Sequence, residues 1–229
     1  MSVKKLLIVA AGMACISTTA ALAGGSDADT IPAPAFEPNV YLEANFGYAS
    51  ADWTSWTNQN LGPWAASNLG GGPDSNKDGG FVGGFDLGYQ FTRNLSVEGG
   101  WFHLPTVSGN TNGNGNVTVH NWFGYGAAKL SLPVIDAIDI FGKIGVAYRY
   151  VRYGGVNNNV STPYDGNNGY WTPMFSLGAK YLLTENWSLN LQWLFLPGYV
   201  ENSNSNNNIA RQAPVANIFT VGLGYQFAI

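Results

Sequence analysis

Cysteine is almost missing from this chain. The single one, Cys15, sits in an N-terminal stretch with the marks of a cleaved export signal. The mature protein is therefore expected to hold no disulfide, no thiol nucleophile and no thiolate metal site. Charge is also scarce, at 10% of residues, where soluble domains carry about 25%. The formal net charge is −4 and grows more negative once Lys4 and Lys5 are removed. With no basic patch, nucleic acid is not expected as a partner. The third absence is a long apolar run. Beyond the N-terminus nothing approaches the 20 or so apolar residues of a membrane-crossing helix, and mean hydropathy is near zero. Proteins that cross membranes as strands hide in this way, because their oily and polar faces average out.

The N-terminus reads as a secretory signal. Lys4 and Lys5 supply the positive region, residues 6–16 a short apolar run, and Ala21-Leu22-Ala23 a cleavage site. Residues 1–23 are expected to leave and Gly24 to begin the mature chain. The apolar run is too short for an anchor, and Gly12-Met13-Ala14 lacks the branched apolar residue expected before a lipidated cysteine. Residues 24–39, rich in Pro, Asp and Ala, read as a disordered lead-in.

Aromatic residues (14%) and glycine (30 residues) are plentiful, and their spacing is informative. Phe219, Val221, Leu223, Tyr225, Phe227 and Ile229 alternate with Thr220, Gly222, Gly224, Gln226 and Ala228. That is period two, the spacing of a strand with one oily face. The pattern recurs over residues 40–49, 80–91, 94–104, 117–132, 138–152, 170–183 and 186–196. The expected outward rows are Val40 to Tyr48, Phe81 to Phe91, Leu95 to Trp101, Trp122 to Leu132, Ile140 to Tyr150, Trp171 to Tyr181, and Trp187 to Phe195. Eight such strands over residues 40–229 predict an all-β fold, an eight-stranded antiparallel transmembrane β-barrel.

Connection lengths alternate. Thr92-Arg93-Asn94, Thr184-Glu185-Asn186 and residues 133–137 are short, whereas residues 50–79, 105–116, 154–169 and 197–214 are long and rich in Asn, Ser and Gly. Outer-membrane barrels sort their connections like this, with short turns in the periplasm and long loops outside. Aromatic spacing agrees. Trp171 and Tyr181 share one face of one strand and, at about 3.3 Å per residue and a tilt near 40°, bracket a band about 25 Å tall. Trp101, Trp122, Tyr148, Trp171 and Trp193 form the expected outer girdle, and Tyr89, Tyr181, Trp187 and Tyr225 the inner one.

Over residues 40–229 the chain resembles the OmpA-like transmembrane domain, the small eight-stranded outer-membrane barrel family. The resemblance rests on residues 41–48 (YLEANFGY), 95–101 (LSVEGGW), 141–148 (FGKIGVAY) and 221–227 (VGLGYQF). Such chains usually end on an aromatic; this one ends Phe227-Ala228-Ile229, an atypical assembly signal. The peptidoglycan-binding domain attached in some relatives is not expected here.

Charges within the strands fall on inward rows. Glu43, Asp86 and Glu98 lie on the first three strands, Lys129, Lys143 and Lys180 on the next three, all at similar height, with Arg149 higher on the fifth. The remainder of the inward row reads as mostly Gly, Ser, Asn, Gln and Thr. Eight strands enclose a lumen just wide enough for side chains, and a buried charge there must be paired. These residues are therefore expected to form an ion-pair layer that plugs the barrel.

Other chemistry ranks low. His103 and His120 lie near the outer ends of the third and fourth strands, but neither has the serine of a lipid A-modifying enzyme. The sequence from Asp74 to Gly79 opens like a calcium loop, yet its twelfth position is Phe85 rather than glutamate. No catalytic residue, metal or cofactor is expected. The favoured reading is a non-enzymatic surface protein in the outer membrane of a Gram-negative cell, exported by the Sec pathway. A narrow channel for small or hydrophobic solutes, resembling the OmpW type, and an adhesin or receptor stand as alternatives, and an enzyme ranks last. Expected partners are outer-membrane lipid and lipopolysaccharide, the barrel-assembly machinery through the C-terminal strand, and host or phage ligands at the loops, with the protein a monomer.

Overall fold

The computed structural model describes residues 36–51, 79–111, 115–155, 166–198 and 213–228. They form eight strands: β1 (Asn39–Ala51), β2 (Gly79–Gln90), β3 (Leu95–Thr111), β4 (Gly115–Ile135), β5 (Ile138–Gly155), β6 (Gly166–Leu182), β7 (Trp187–Leu196) and β8 (Ala216–Ala228). Each pairs antiparallel with the next, and β8 pairs back onto β1 from Asn39↔Ala228 to Ala51↔Ala216, so the barrel closes. Closure leaves no unpaired edge, as backbone in lipid requires. The expected signal peptide, the Asp74–Asp78 stretch and Ile229 lie outside the described residues.

The period of two fixes which side faces out. On β6 Leu177 is 54% exposed and its neighbour Ser176 is 2% exposed. Leu42, Phe46, Leu87, Val97, Ile144, Leu191 and Leu223 repeat this outward, apolar exposure. Such a surface needs a hydrocarbon solvent, since soluble proteins do not leave so large an apolar band in water.

Two of the short turns are built alike. In each, a threonine hydroxyl accepts backbone N–H bonds. Thr92 Oγ1 takes those of Asn94 and Leu95 at 3.3 and 3.0 Å, and Thr184 Oγ1 those of Asn186 and Trp187 at the same distances. The asparagine then reaches to the next strand, Asn94 Nδ2 to the Ser131 carbonyl (2.8 Å) and Asn186 Nδ2 to the Gln226 carbonyl (3.1 Å). A Thr-x-Asn triplet thus caps a hairpin and ties it to a third strand.

One connection departs from expectation. The polar run at 105–116 is mostly strand: β3 and β4 continue pairing to Thr111↔Gly115. A bulge between Leu104 and Val107 absorbs Pro105, whose missing N–H cannot serve a regular ladder. Likewise β5 runs to Gly155 and β6 starts at Gly166. Asn, Ser and Gly suggested loops, but mutual ladder bonds hold these strands together beyond the apolar band.

Candidate functional site: a charged layer below an apolar core

The inward rows of β1 to β5 bring five charged side chains together near the short-turn end. Lys129 Nζ lies 3.3 Å from Glu43 Oε1 and 3.3 Å from Glu98 Oε2. Lys143 Nζ lies 3.5 Å from Asp86 Oδ2 and pairs closely with Glu98 Oε1. Glu98 therefore bridges the two lysines. All five side chains are buried, so each depends on the others for the stabilisation that water would give.

Neutral side chains complete the cluster. The Tyr41 hydroxyl donates to Glu98 Oε2 at 2.8 Å. The Tyr125 hydroxyl lies between Asp86 Oδ1, at 2.8 Å, and Glu98 Oε1. Asn45 Nδ2 donates to Asp86 Oδ2 at 3.0 Å, and Gln192 Nε2 to Asn45 Oδ1 at 3.3 Å. The Phe141 ring lies under both ammonium groups, 4.5 Å from Lys129 Nζ and 5.4 Å from Lys143 Nζ. Gly100 makes room for this: a Cβ there would stand 2.2 Å from Asp86 Oδ1 and 2.4 Å from the Tyr125 ring. Carboxylate oxygens of Glu43, Asp86 and Glu98 lie within 4.8 Å of one another, the spacing of a cation site. Here the lysine ammonium groups occupy the role such a cation would play.

Two residues expected in this layer stand outside it. Lys180 is only half-buried at the short-turn mouth, opposite Asp139 on β5 and Asn190 on β7, and makes no ion pair among the described residues. On β6 it stands four residues nearer the turns than Ser176, which faces Lys143. Arg149 is fully buried but pairs with no carboxylate among the described residues; its Nη1 donates to the Pro214 carbonyl at 2.6 Å and to the Tyr170 hydroxyl at 3.3 Å. Six residues above Lys143, it ties the segment entering β8 to the barrel wall.

The lumen above the layer corrects a second expectation. Its inward rows are mainly apolar, with Asn121, Arg149 and Thr172 the buried polar residues among them. Ala49, Val82, Phe102, Leu104, Phe123, Ala147, Met174, Leu194, Leu196, Ala216 and Ile218 form one buried cluster, with Phe102 and Phe123 stacked at 5.2 Å. The sequence carried a signal for this. Alternation fails at Trp101-Phe102, Trp122-Phe123 and residues 193–196 (WLFL), where both faces are apolar. On the β6–β8 flank lower down, Ser176 Oγ, both Asn190 amide atoms, Gln192 Oε1 and Thr220 Oγ1, with Glu43 Oε2 on the neighbouring β1 and with Asn121 Oδ1 and Arg149 Nε above the layer, are buried without a protein partner among the described residues. Groups of that kind are served by ordered water.

The family described as outer membrane protein beta-barrel domain matches residues 7–227 of this sequence. The chain belongs to that family. This outer-membrane barrel is 29% identical over 147 residues to outer membrane protein A of Serratia marcescens, a match covering 62% of this chain and 38% of that protein. It is 28% identical over 163 residues to a 31 kDa outer-membrane immunogenic protein of Brucella melitensis, covering 65% of this chain and 67% of the relative. The chain thus spans well under half the length of some curated relatives it matches. Among solved structures, outer membrane protein OprG of Pseudomonas aeruginosa superposes with a TM-score of 0.53 at 14% identity, over 85% of this chain and 99% of that one. The N-terminal barrel of OprF from the same organism gives 0.50 at 14% identity, over 84% and 100%. These two likenesses establish the fold. The outer membrane is accordingly the protein's location.

In this outer-membrane barrel the expected girdle aromatics stand on the outer wall. Tyr148 meets Trp171 at 5.2 Å near the long-connection end, and Trp187 meets Tyr225 at 4.9 Å near the short turns. His103 and His120 are both exposed. The bulge at Pro105 sets them apart: Thr106 Oγ1 stands 3.2 Å from His120 Nδ1, while His103 lies against Trp101.

Proposed function

We propose that this outer-membrane barrel is a closed, non-enzymatic surface protein, with its long connections outside the cell and its short turns in the periplasm. One observation carries the reading: the lumen is occupied by paired charges in one half and mainly by packed hydrocarbon, with Arg149 buried beside it, in the other. A layer of Phe102, Phe123, Leu194, Leu196, Met174 and Ile218 supports closure more strongly than the ion pairs alone, because water does not thread a close-packed apolar cluster. In this reading the barrel is an anchor that displays loops, it inserts through the assembly machinery by its C-terminal strand, and it works as a monomer among outer-membrane lipids. The Brucella relative named as immunogenic is consistent with surface display.

Conductance decides between closure and a solute channel. Purified protein in planar bilayers is expected to show little or no steady current. Large, stable openings would replace the closed reading with the channel. Orientation has its own test. Protease added to whole cells is expected to spare Arg93, which lies in a short turn, and to cut within residues 50–79 or 202–208; cleavage at Arg93 in intact cells would reverse the topology.

A further inference from the structure

The charged layer does not balance. In their ionised forms Glu43, Asp86 and Glu98 meet two ammonium groups, those of Lys129 and Lys143, so one negative charge is left over in a buried site. Arg149 stands six residues above Lys143, about 20 Å along the strand. Lys180 faces Asp139 at the mouth, charge against charge. Glu43 holds the loose end: its Oε1 meets Lys129 at 3.3 Å, while its Oε2 is buried with no protein partner among the described residues. The wall beside Glu43 is notched. Across the β1–β8 ladder Glu43 faces Gly224 and Asn45 faces Gly222, and across β7–β8 the same glycines face Ser188 and Asn190. The point where a Gly224 Cβ would stand lies 2.7 Å from Ser188 Oγ, 3.1 Å from Asn190 Nδ2 and 3.2 Å from Glu43 Cγ, so side chains of two strands converge over a third. Thr220 stands one inward step above Gly222 on β8 and faces Gln192 on β7.

A chain of amides fixes what this niche offers. A carboxylate only accepts, so Asn45 turns its Nδ2 to Asp86 Oδ2, at 3.0 Å. Asn45 Oδ1 then takes Gln192 Nε2 at 3.3 Å, which leaves Gln192 Oε1 as a bare acceptor. With Glu43 Oε2, Asn190 Oδ1 and Thr220 Oγ1, the niche holds four buried oxygens that no protein donor serves among the described residues. One carboxylate oxygen among neutral carbonyl and hydroxyl oxygens is a donor set for a hard cation. We propose that Glu43, Asn190, Gln192 and Thr220 bind a monovalent alkali-metal cation, such as sodium, which enters from the short-turn mouth and takes the place of one of the waters on this flank. Charge selects the valence. One positive charge neutralises the layer, whereas a divalent ion would leave it positive beside Lys129. The site goes beyond the closed, surface-displaying reading and holds for either orientation of the barrel.

The test is urea unfolding of the protein in zwitterionic phosphocholine vesicles, with sodium exchanged for N-methylglucamine at constant ionic strength so that screening stays fixed. Lys129 lies close to the same carboxylate, so the affinity is modest. With a dissociation constant of about 30 mM, raising sodium from about 1 to about 300 mM should raise the folded-to-unfolded ratio about tenfold. Thr220→Val and Asn190→Leu leave every ion pair in place and should each cut that gain to about threefold or less. Glu43→Gln removes the surplus charge and should abolish the gain, and Lys180→Gln should keep it. Excess relaxation of sodium-23 by the folded protein in zwitterionic micelles reads binding directly and should vanish in Glu43→Gln. If Glu43→Gln does not fold, the Thr220 and Asn190 variants carry the test. No sodium dependence and no excess relaxation in the unaltered protein, or an undiminished response in Thr220→Val and Asn190→Leu, overturns the site. A response that emerges only in Lys180→Gln would give the niche to that lysine's own ammonium group and overturn it as well. A stronger response to calcium than to sodium would overturn the monovalent assignment.

Discussion

Glu98 and Phe102 stand on the same inward row of β3, four residues apart, yet they sit in different solvents. Around Glu98 are two lysine ammonium groups and two tyrosine hydroxyls. Around Phe102 are Phe123 at 5.2 Å and Tyr125 at 6.3 Å, then aliphatic side chains. The contrast shows that a narrow barrel has two ways to fill its centre. Ion pairs set geometry but carry desolvation costs that only complete pairing offsets. Hydrocarbon packing needs no pairing but must fit. Tyr125 joins the two, with its ring against Phe102 and Phe123 and its hydroxyl on Asp86 and Glu98.

The largest effect should come from putting the chemistry of one half into the other. Phe102→Asp places a charge in the apolar half, where its register partners Gly84 and Phe123 offer no cation, so it should cost on the order of 5 kcal/mol or prevent folding into lipid. Phe102→Leu should cost only about 1 to 2 kcal/mol. Urea unfolding in lipid vesicles measures both. A mild penalty for the aspartate would mean that water reaches this half.

The converse change is next in size. Glu98→Ala strands Lys129 and Lys143 together beside the remaining acids and should cost about 4 kcal/mol, with Lys129→Ala somewhat less. The double variant should cost less than the sum by 1 kcal/mol or more. Simple additivity would show that the 3.3 Å pair contributes nothing.

The outer wall and the acids and bases of the lumen were legible in the sequence because they repeat. Strand number, outward rows and closing strand all follow from the period of two, reinforced by alternating connection length. The apolar half of the lumen was not legible in the same way. A lumen-facing Leu194 between Trp193 and Phe195 reads as one more oily residue unless the loss of alternation is itself taken as the signal. Arg149 and Lys180 show a different limit. Each lies on an inward row, as expected, but pairing depends on height and on partners from distant strands, and those are set by the stagger of the closed sheet. The polar 105–116 run shows a third: composition does not separate a loop from a strand that continues above the membrane.

Inside and outside can be compared at one step of β6. Leu177→Arg exposes a guanidinium to lipid near mid-membrane and should cost about 3 kcal/mol. Ser176→Asp, one residue away, places its carboxylate opposite Lys143 in the β5–β6 register and should cost less than half as much. If folding yield in vesicles falls further for Ser176→Asp, the assignment of lumen and lipid faces on this strand fails.

The smallest effect marks the lower edge of the charged half. Lys180 shares its inward row with Ser176, lies at the short-turn mouth, and faces Asp139 without ion-pair contact. Solvent screens a half-exposed charge of this kind, and such pairs contribute about 0 to 1 kcal/mol. Lys180→Gln should therefore lower stability by less than about 1 kcal/mol, with an effect that shrinks further in high salt. Lys143→Gln removes the cation between Asp86 and Glu98, all three buried, and should cost several times more with little salt dependence. The ratio of the two costs locates the boundary between wet mouth and dry layer. Equal, salt-insensitive costs would extend the dry layer down to Lys180 and make it a member of the network after all.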